Sequence, residues 1–252
     1  MKRTDQHWDE SIETLSRAEL DALQLFRLRQ VIDHSMLSPF YSKKFQDAGV
    51  KSSDIDNLED IRKLPFTTKQ DLRDFYPYGF LCVPKDELVR LHVSSGTTGQ
   101  ATAIFYTRKD LETWADLMAR CMYMTGARPE DTFQNLSGYG LFTGGLGFHY
   151  GAERLGMLAI PAGAGNSKRQ IQLMKDFSTS VIHIIASYAL RLQDVLTEMK
   201  MDPRKDLHLK IAYLGAEPYS EEMRRRVENF FGIKVYRSEE HTSELQSRSE
   251  LV

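Results

Sequence analysis

Four hydroxyl side chains and two glycines follow one another at Ser94, Ser95, Gly96, Thr97, Thr98 and Gly99. Glycine lets backbone N–H groups turn toward one anion, and Ser and Thr hydroxyls donate further hydrogen bonds, so this order suits a cradle for phosphate oxygens. The same composition also makes ordinary turns, and the order of the six residues is the more specific signal. Gly96 and Gly99 are too close together for the G-x-x-x-x-G-K-[ST] phosphate loop, no lysine follows them, and they do not give the G-x-G-x-x-G dinucleotide fingerprint.

A second run, from Gly138 to Glu153, reads GYGLFTGGLGFHYGAE. Tyr139 and Phe142 offer aromatic walls, and Gly144 and Gly145 a floor free of side chains, a combination suited to an aryl ring. Packing alone also produces such clusters. His149, in the same run, has no second His, Cys or carboxylate at a metal-ligand spacing and reads as a structural residue at a helix start. A third candidate is Gly215, Ala216, Glu217 and Pro218, directly after a strand pattern at 209–214. Ligands gather at the carboxyl ends of strands in open α/β sheets, and small residues let a flat ring approach the backbone. A plain strand-to-helix turn with a cap at Ser220 accounts for the same residues equally well.

Taken in order, the three segments resemble one enzyme group. The 94–99 loop is similar to the phosphate loop of the adenylate-forming superfamily, which includes acyl-CoA synthetases and luciferases. The 138–153 run resembles the phenylacetate-CoA ligase family, and Tyr213-Leu214-Gly215-Ala216-Glu217-Pro218 resembles that family's adenine-contacting turn. The resemblance runs from about residue 15 to Tyr236 and corresponds to roughly the first half of a family member. It implies an enzyme in which an aryl acid such as phenylacetate attacks the α-phosphate of ATP, with Mg²⁺, and the acyl-adenylate then passes its acyl group to CoA; a homodimer of the whole protein is compatible with it, though residue types alone do not decide the oligomeric state. One departure is Gln100-Ala101, where most members continue Lys-Pro; Gln100 donates a hydrogen bond but brings no charge. The acid that helps bind Mg²⁺, the ribose-binding aspartate, the hinge and the adenylation lysine have no counterparts here, so no catalytic residue and no metal ligand is assigned. The chain alone is expected to be an inactive part of an ATP-dependent aryl-acid CoA ligase. The alternatives are a non-catalytic fragment that binds nucleotide or aryl acid, and a ligase for another aryl acid.

These segments need a scaffold to position them. Leu25, Leu28, Ile32 and Met36 recur at steps of three and four, the period of an amphipathic helix. Ser38-Pro39 opens a second helix that Gly49 closes, and Thr67 with Gln70 predicts a capping box and a short helix over 68–75. After Pro84, strand patterns at 88–93, 103–106, 132–136, 158–160, 181–185, 209–214 and 233–236 alternate with helical ones, which predicts an α/β fold. The expected organisation is a mainly helical region at 1–84 and an α/β nucleotide- and aryl-acid-binding region at 85–236, an N-terminal part of the adenylate-forming fold with a mixed sheet and covering helices. The tail at 237–252 is polar, lacks a core periodicity, and resembles the translation of a sequencing-library adapter, so it is expected to be non-native.

Composition closes off other classes. A net charge of −2 and a pI near 6.4 leave no electrostatic footprint for nucleic acid, and the one tight basic cluster, Arg224, Arg225 and Arg226, follows Glu221 and Glu222 as a solvated helix face would. Cys82 and Cys121 are too few for a disulfide framework. The polar start and the shortness of every apolar run predict neither export nor a membrane span, and hence the cytoplasm.

Overall fold

The computed structural model describes residues 3–94, 101–141 and 143–237. They form two compact units that divide between Glu112 and Thr113, rather than after Pro84. The first unit extends past Pro84 because a hairpin packs on it: Phe105 of the hairpin lies 5.3 Å from the ring of Tyr78.

The first unit opens with α1 (Glu10–Glu13) and α2 (Arg17–Ser35). Ser16 and Glu19 exchange capping hydrogen bonds at the start of α2, and its apolar stripe does what the spacing predicts. Ile32 is buried with Phe45 and Ile55, and Leu25, Leu28 and Met36 pack against them. Ser38 caps α3 (Pro39–Ala48), and Gly49 ends it in the left-handed region at φ +65°. The next helix, α4 (Lys69–Asp74), starts one residue later than expected, because the reciprocal cap is Thr68 with Asp71. A carboxylate accepts more strongly than the Gln70 amide, and Asp71 also takes Lys44 Nζ at 2.8 Å. Strands β1 (Leu88–Val93) and β2 (Ala103–Thr107) then form a separate antiparallel hairpin.

The second unit is built on a five-stranded, all-parallel sheet. In chain order the elements from the boundary onward are α5 (Arg108–Met124), which starts in the first unit, β3 (Thr132–Asn135), α6 (Thr143–Leu155), β4 (Leu158–Ile160), α7 (Ser167–Asp176), β5 (Val181–Ile185), α8 (Ala186–Glu198), α9 (Pro203–Asp206), β6 (Ile211–Gly215), α10 (Glu221–Phe231) and β7 (Lys234–Arg237). The strand order is β4-β3-β5-β6-β7. Arg237, the first residue of the segment set apart at 237–252, is the last residue of β7 and pairs with Leu214. The remainder of that segment lies outside the described residues.

Alternation along the strands separates two faces. Ile182, Ile184, Ala212, Leu214 and Val235 point to one side and are buried with Ile171, Leu192, Leu196, Val227 and Phe231 of α7, α8 and α10. Phe133, Asn135, His183 and Tyr213 point to the other, where Phe148 of α6 stacks on His183 and on Tyr213. Helices α5 and α6 approach closely there because Gly147 and Gly151 stand one turn apart. A Cβ at Gly147 would lie 2.7 Å from the Trp114 ring, and one at Gly151 2.6 Å from Met118 Cβ. Among the described residues no helix is long and apolar enough to cross a membrane.

Candidate functional site

The chain leaves β3 for β4 in one direction and returns past β3 to β5 in the other. Right-handed crossovers then put α6 on one face and α7, α8 and α10 on the opposite one. The loops beyond the carboxyl ends of β3 and β5 diverge at this reversal and open a crevice, the usual ligand position in an open α/β sheet. Here the crevice is a cavity of about 390 Å³ lined by Leu136, Ser137 and Gly138 beyond β3, Ala164 and Gly165 beyond β4, and Ile185, Ser187, Tyr188 and Arg191 at the start of α8.

Asn135, buried at the end of β3, organises one wall. Its Oδ1 accepts the Ser137 backbone N–H at 3.2 Å and sits 3.0 Å from His183 Nδ1. Its Nδ2 donates to the Gly145 carbonyl at 3.3 Å, and its amide also stands beside the Tyr139 hydroxyl. Tyr139 is in turn 3.2 Å from His149 Nδ1, and His149 Nε2 is 3.2 Å from Glu153. Burial raises the pKa of the Tyr139 phenol, so the hydroxyl keeps its proton. Burial acts on His183 in the opposite sense, pushing its pKa down to about 4, and the ring is neutral.

The sequence candidates in this wall fare differently. Gly144 faces open space apart from His183, whose Cε1 would be 3.6 Å from a Cβ there. Gly145 answers instead to packing, since a Cβ would lie 2.5 Å from the Gly138 carbonyl oxygen. Tyr139 stands at the rim of the wall, about one third exposed (37%), and does not line the 390 Å³ cavity. Phe142 lies outside the described residues. His149 is not at a helix start: α6 begins at Thr143, which places it in the second turn with both ring nitrogens engaged.

The turn at 215–218 is tied to the crevice through Ser187, one of its lining residues. Gly215 ends β6 and is buried, and Ala216 adopts φ +65°, a conformation that disfavours a residue with a Cβ by roughly 1–2 kcal/mol. Glu217 accepts hydrogen bonds from the backbone N–H and, at 3.1 Å, the hydroxyl of Ser187. Pro218 is exposed, and Ser220 caps α10 by accepting from Met223 N–H. In the first unit, Ser94 closes the base of the hydroxyl-rich loop: its N–H donates to the Thr102 carbonyl at 3.0 Å, and its Oγ accepts the Thr102 N–H at 2.9 Å. Ser95, Gly96, Thr97, Thr98 and Gly99 lie outside the described residues.

Sequence reasoning missed Ser187 and Arg191, which line the crevice from the start of α8, and Asn135 and His183, which pair beside Ser137 from β3 and β5; none of the four carries a local motif. Gly147 and Gly151 had a signal, their spacing of four.

No protein-family profile matches the chain. It is 46% identical over 228 residues to a phenylacetate-coenzyme A ligase of Pseudomonas putida, covering 89% of this chain and 52% of that protein. To the enzyme of the same name from Escherichia coli (strain K12) it is 44% identical over 223 residues, covering 88% and 51%. The chain thus spans about half the length of the curated relatives it matches. Among solved structures, a 2-hydroxyisobutyryl-CoA ligase in complex with 2-HIB-AMP and CoA superposes with a TM-score of 0.86 and 34% identity, over 94% of this chain and 52% of that one.

Proposed function

We propose that this chain, which belongs to the phenylacetate-CoA ligase family, is the acid- and adenine-binding part of an ATP-dependent aryl-acid CoA ligase. In the proposed reaction a carboxylate oxygen of the acid attacks the α-phosphorus of ATP, and the bond to pyrophosphate breaks. The thiolate sulfur of CoA then attacks the acyl carbon, forms the thioester and expels AMP. Both steps develop charge on oxygens, so the protein's work is to hold the reacting groups together and stabilise that charge with fixed donors.

One observation carries this reading: the crevice at the strand reversal is bounded by the Asn135 wall on one side and reaches the 215–218 turn through the Ser187–Glu217 link. An aryl ring beside Tyr139, Phe142 and Gly144 and an adenine against Gly215 and Ala216 would then approach from the ends of β3 and β6, on either side of β5. The resemblance of residues 94–99 to a phosphate loop is what assigns their hydroxyls, with Gln100 as a neutral donor, to the phosphates. Among the described residues no three His, Cys, Asp or Glu side chains converge on a metal position, and Mg²⁺ is given no ligand. Phenylacetate is the acid of first choice because the relatives bear its name.

The test is phenylacetate-dependent exchange of labelled pyrophosphate into ATP by the whole protein that contains this chain, beside residues 1–237 alone. Exchange by the whole protein and not by the shorter one is expected. No exchange by the whole protein with any of several aryl acids overturns the proposal, and exchange by residues 1–237 overturns the part of it that makes this chain incomplete.

A further inference from the structure

The hydrogen bonds around Asn135 fix the chemistry of a side chain that has so far been only a stacking partner. Two backbone groups hold the Asn135 amide, and neither can reverse its role: Ser137 N–H can only donate, so it faces Oδ1, and the Gly145 carbonyl can only accept, so it faces Nδ2. The amide orientation is therefore determined. Oδ1 has no proton, so the contact to His183 requires Nδ1 to carry one. In a neutral imidazole one nitrogen holds the proton and the other is a bare acceptor, which leaves Nε2 with a lone pair. The stack on Phe148, with centroids 4.2 Å apart, holds the plane of the ring, and the hydrogen bond to Oδ1 selects the orientation within it.

His183 is only 3% exposed, so a ligand would meet it past Gly144, where no side chain intervenes. The edge bearing Cε1, bonded to Nε2, lies under Gly144, with 3.6 Å between Cε1 and the place a Cβ would take. The Tyr139 hydroxyl is similarly committed. It lies 3.2 Å from His149 Nδ1, on a ring whose Nε2 is 3.2 Å from Glu153, and beside the Asn135 amide.

We propose that His183 is a specificity-determining residue that presents an acceptor without a proton at the floor under Gly144, so that this site favours aryl acids carrying a hydrogen-bond donor on the ring over acids of similar size without one. This rests on the reading that residues 139–145 border the acid. A neutral ring is also what burial enforces, since the charged form is disfavoured there.

The experiment compares kcat/KM for adenylation of ring-hydroxylated arylacetic acids with their fluorinated counterparts, near-equal in size and lacking the donor, using the whole protein and its His183→Phe variant. The wild type is expected to prefer the hydroxylated acid at one ring position by roughly ten-fold or more, the range in which an unpaired site acceptor discriminates. In His183→Phe, which keeps an aromatic ring against Phe148, that ratio falls toward one. Should the variant not fold, ¹⁵N spectra of the wild type decide: Nδ1 is expected to be protonated and Nε2 not, with Nε2 shifting upon addition of the hydroxylated acid and not of the fluorinated one. A wild type that activates aryl acids with no such preference, or an Nε2–H tautomer, overturns the role of His183. A wild type that activates no aryl acid overturns the proposed function itself, whatever the tautomer.

Discussion

Glu217, in the turn after β6, accepts hydrogen bonds from both the backbone N–H and the hydroxyl of Ser187, in the first turn of α8. A carboxylate there meets one of the unpaired N–H groups of the helix start and the positive end of its dipole. The bond also holds the 215–218 turn, which contains Ala216 at φ +65°, against the rim of the crevice.

Replacing Glu217 with Ala is expected to lower unfolding free energy by about 1–2 kcal/mol, the range for a charge-assisted contact at a helix start. Urea titration checks this. Glu217→Gln, which keeps an acceptor but not the charge, should recover about half of the loss. Equal stability of Glu217→Ala and wild type would remove the link from any account of how the turn is held.

The glycines of α6 and its approach separate by what a methyl group would meet. Gly147→Ala and Gly151→Ala push Cβ into the Trp114 ring and Met118, and overpacking of this kind costs about 1–3 kcal/mol, more than the roughly 1 kcal/mol that alanine gains in a helix. Gly145→Ala meets backbone at 2.5 Å and should be the most damaging. Gly144→Ala has room, so thermal unfolding should show no loss of stability, while the added methyl shrinks the floor above His183 and raises KM for the acid in the whole protein.

His183 predicts a pH dependence of stability. Its folded pKa is depressed to about 4 from 6.5, so between those values the unfolded chain binds a proton that the folded chain does not. Stability from this group is complete above pH 6.5 and is lost as pH falls toward 4, by up to about 3 kcal/mol. Urea midpoints measured across that interval should fall for the wild type and flatten in His183→Phe. The same slope in both proteins would assign the acid sensitivity to other groups.

Ala216 tests backbone strain. Glycine at φ +65° relieves roughly 1 kcal/mol but enlarges the unfolded ensemble by about 0.4–1 kcal/mol, so Ala216→Gly should change stability little. Ala216→Val, branched at Cβ, should destabilise by more than about 1 kcal/mol. Calorimetry of the two variants separates strain from loss of a side-chain contact.

Much of the scaffold could be read directly from local pattern. The β-branched run at Val181–Ile185 is a strand to the residue, and Leu25, Leu28, Ile32 and Met36 form the packed face expected of them. Both depend on periodicity, which is local. The expected start of α4 missed by one residue because Asp71 serves Thr68 and Lys44 together, and Lys44 is distant in sequence. The expected position of His149 failed for a related reason: Thr143, Gly144 and Gly145 are poor helix formers, and they are helical because the α6 start packs against Asn135 and the Gly138 carbonyl. The strand reversal that opens the crevice could not be read at all, since alternation of helices and strands does not say on which side of β3 the next strand is laid. Asn135 and His183, whose meeting defines the wall, are 48 residues apart.

The Asn135 amide also gives this wall a polarity that does not depend on titration. Its two ends are held apart by a donor and an acceptor of the main chain, so the arrangement works like a keyed connector. Exchanging the amide nitrogen for oxygen, as in aspartate, alters almost nothing in shape, yet it would set an oxygen against the Gly145 carbonyl and remove the amide donor from the wall, while Oδ1 would still accept from His183. The information the wall offers a ligand is therefore written in the backbone path of residues 137–145, and the side chains only transmit it.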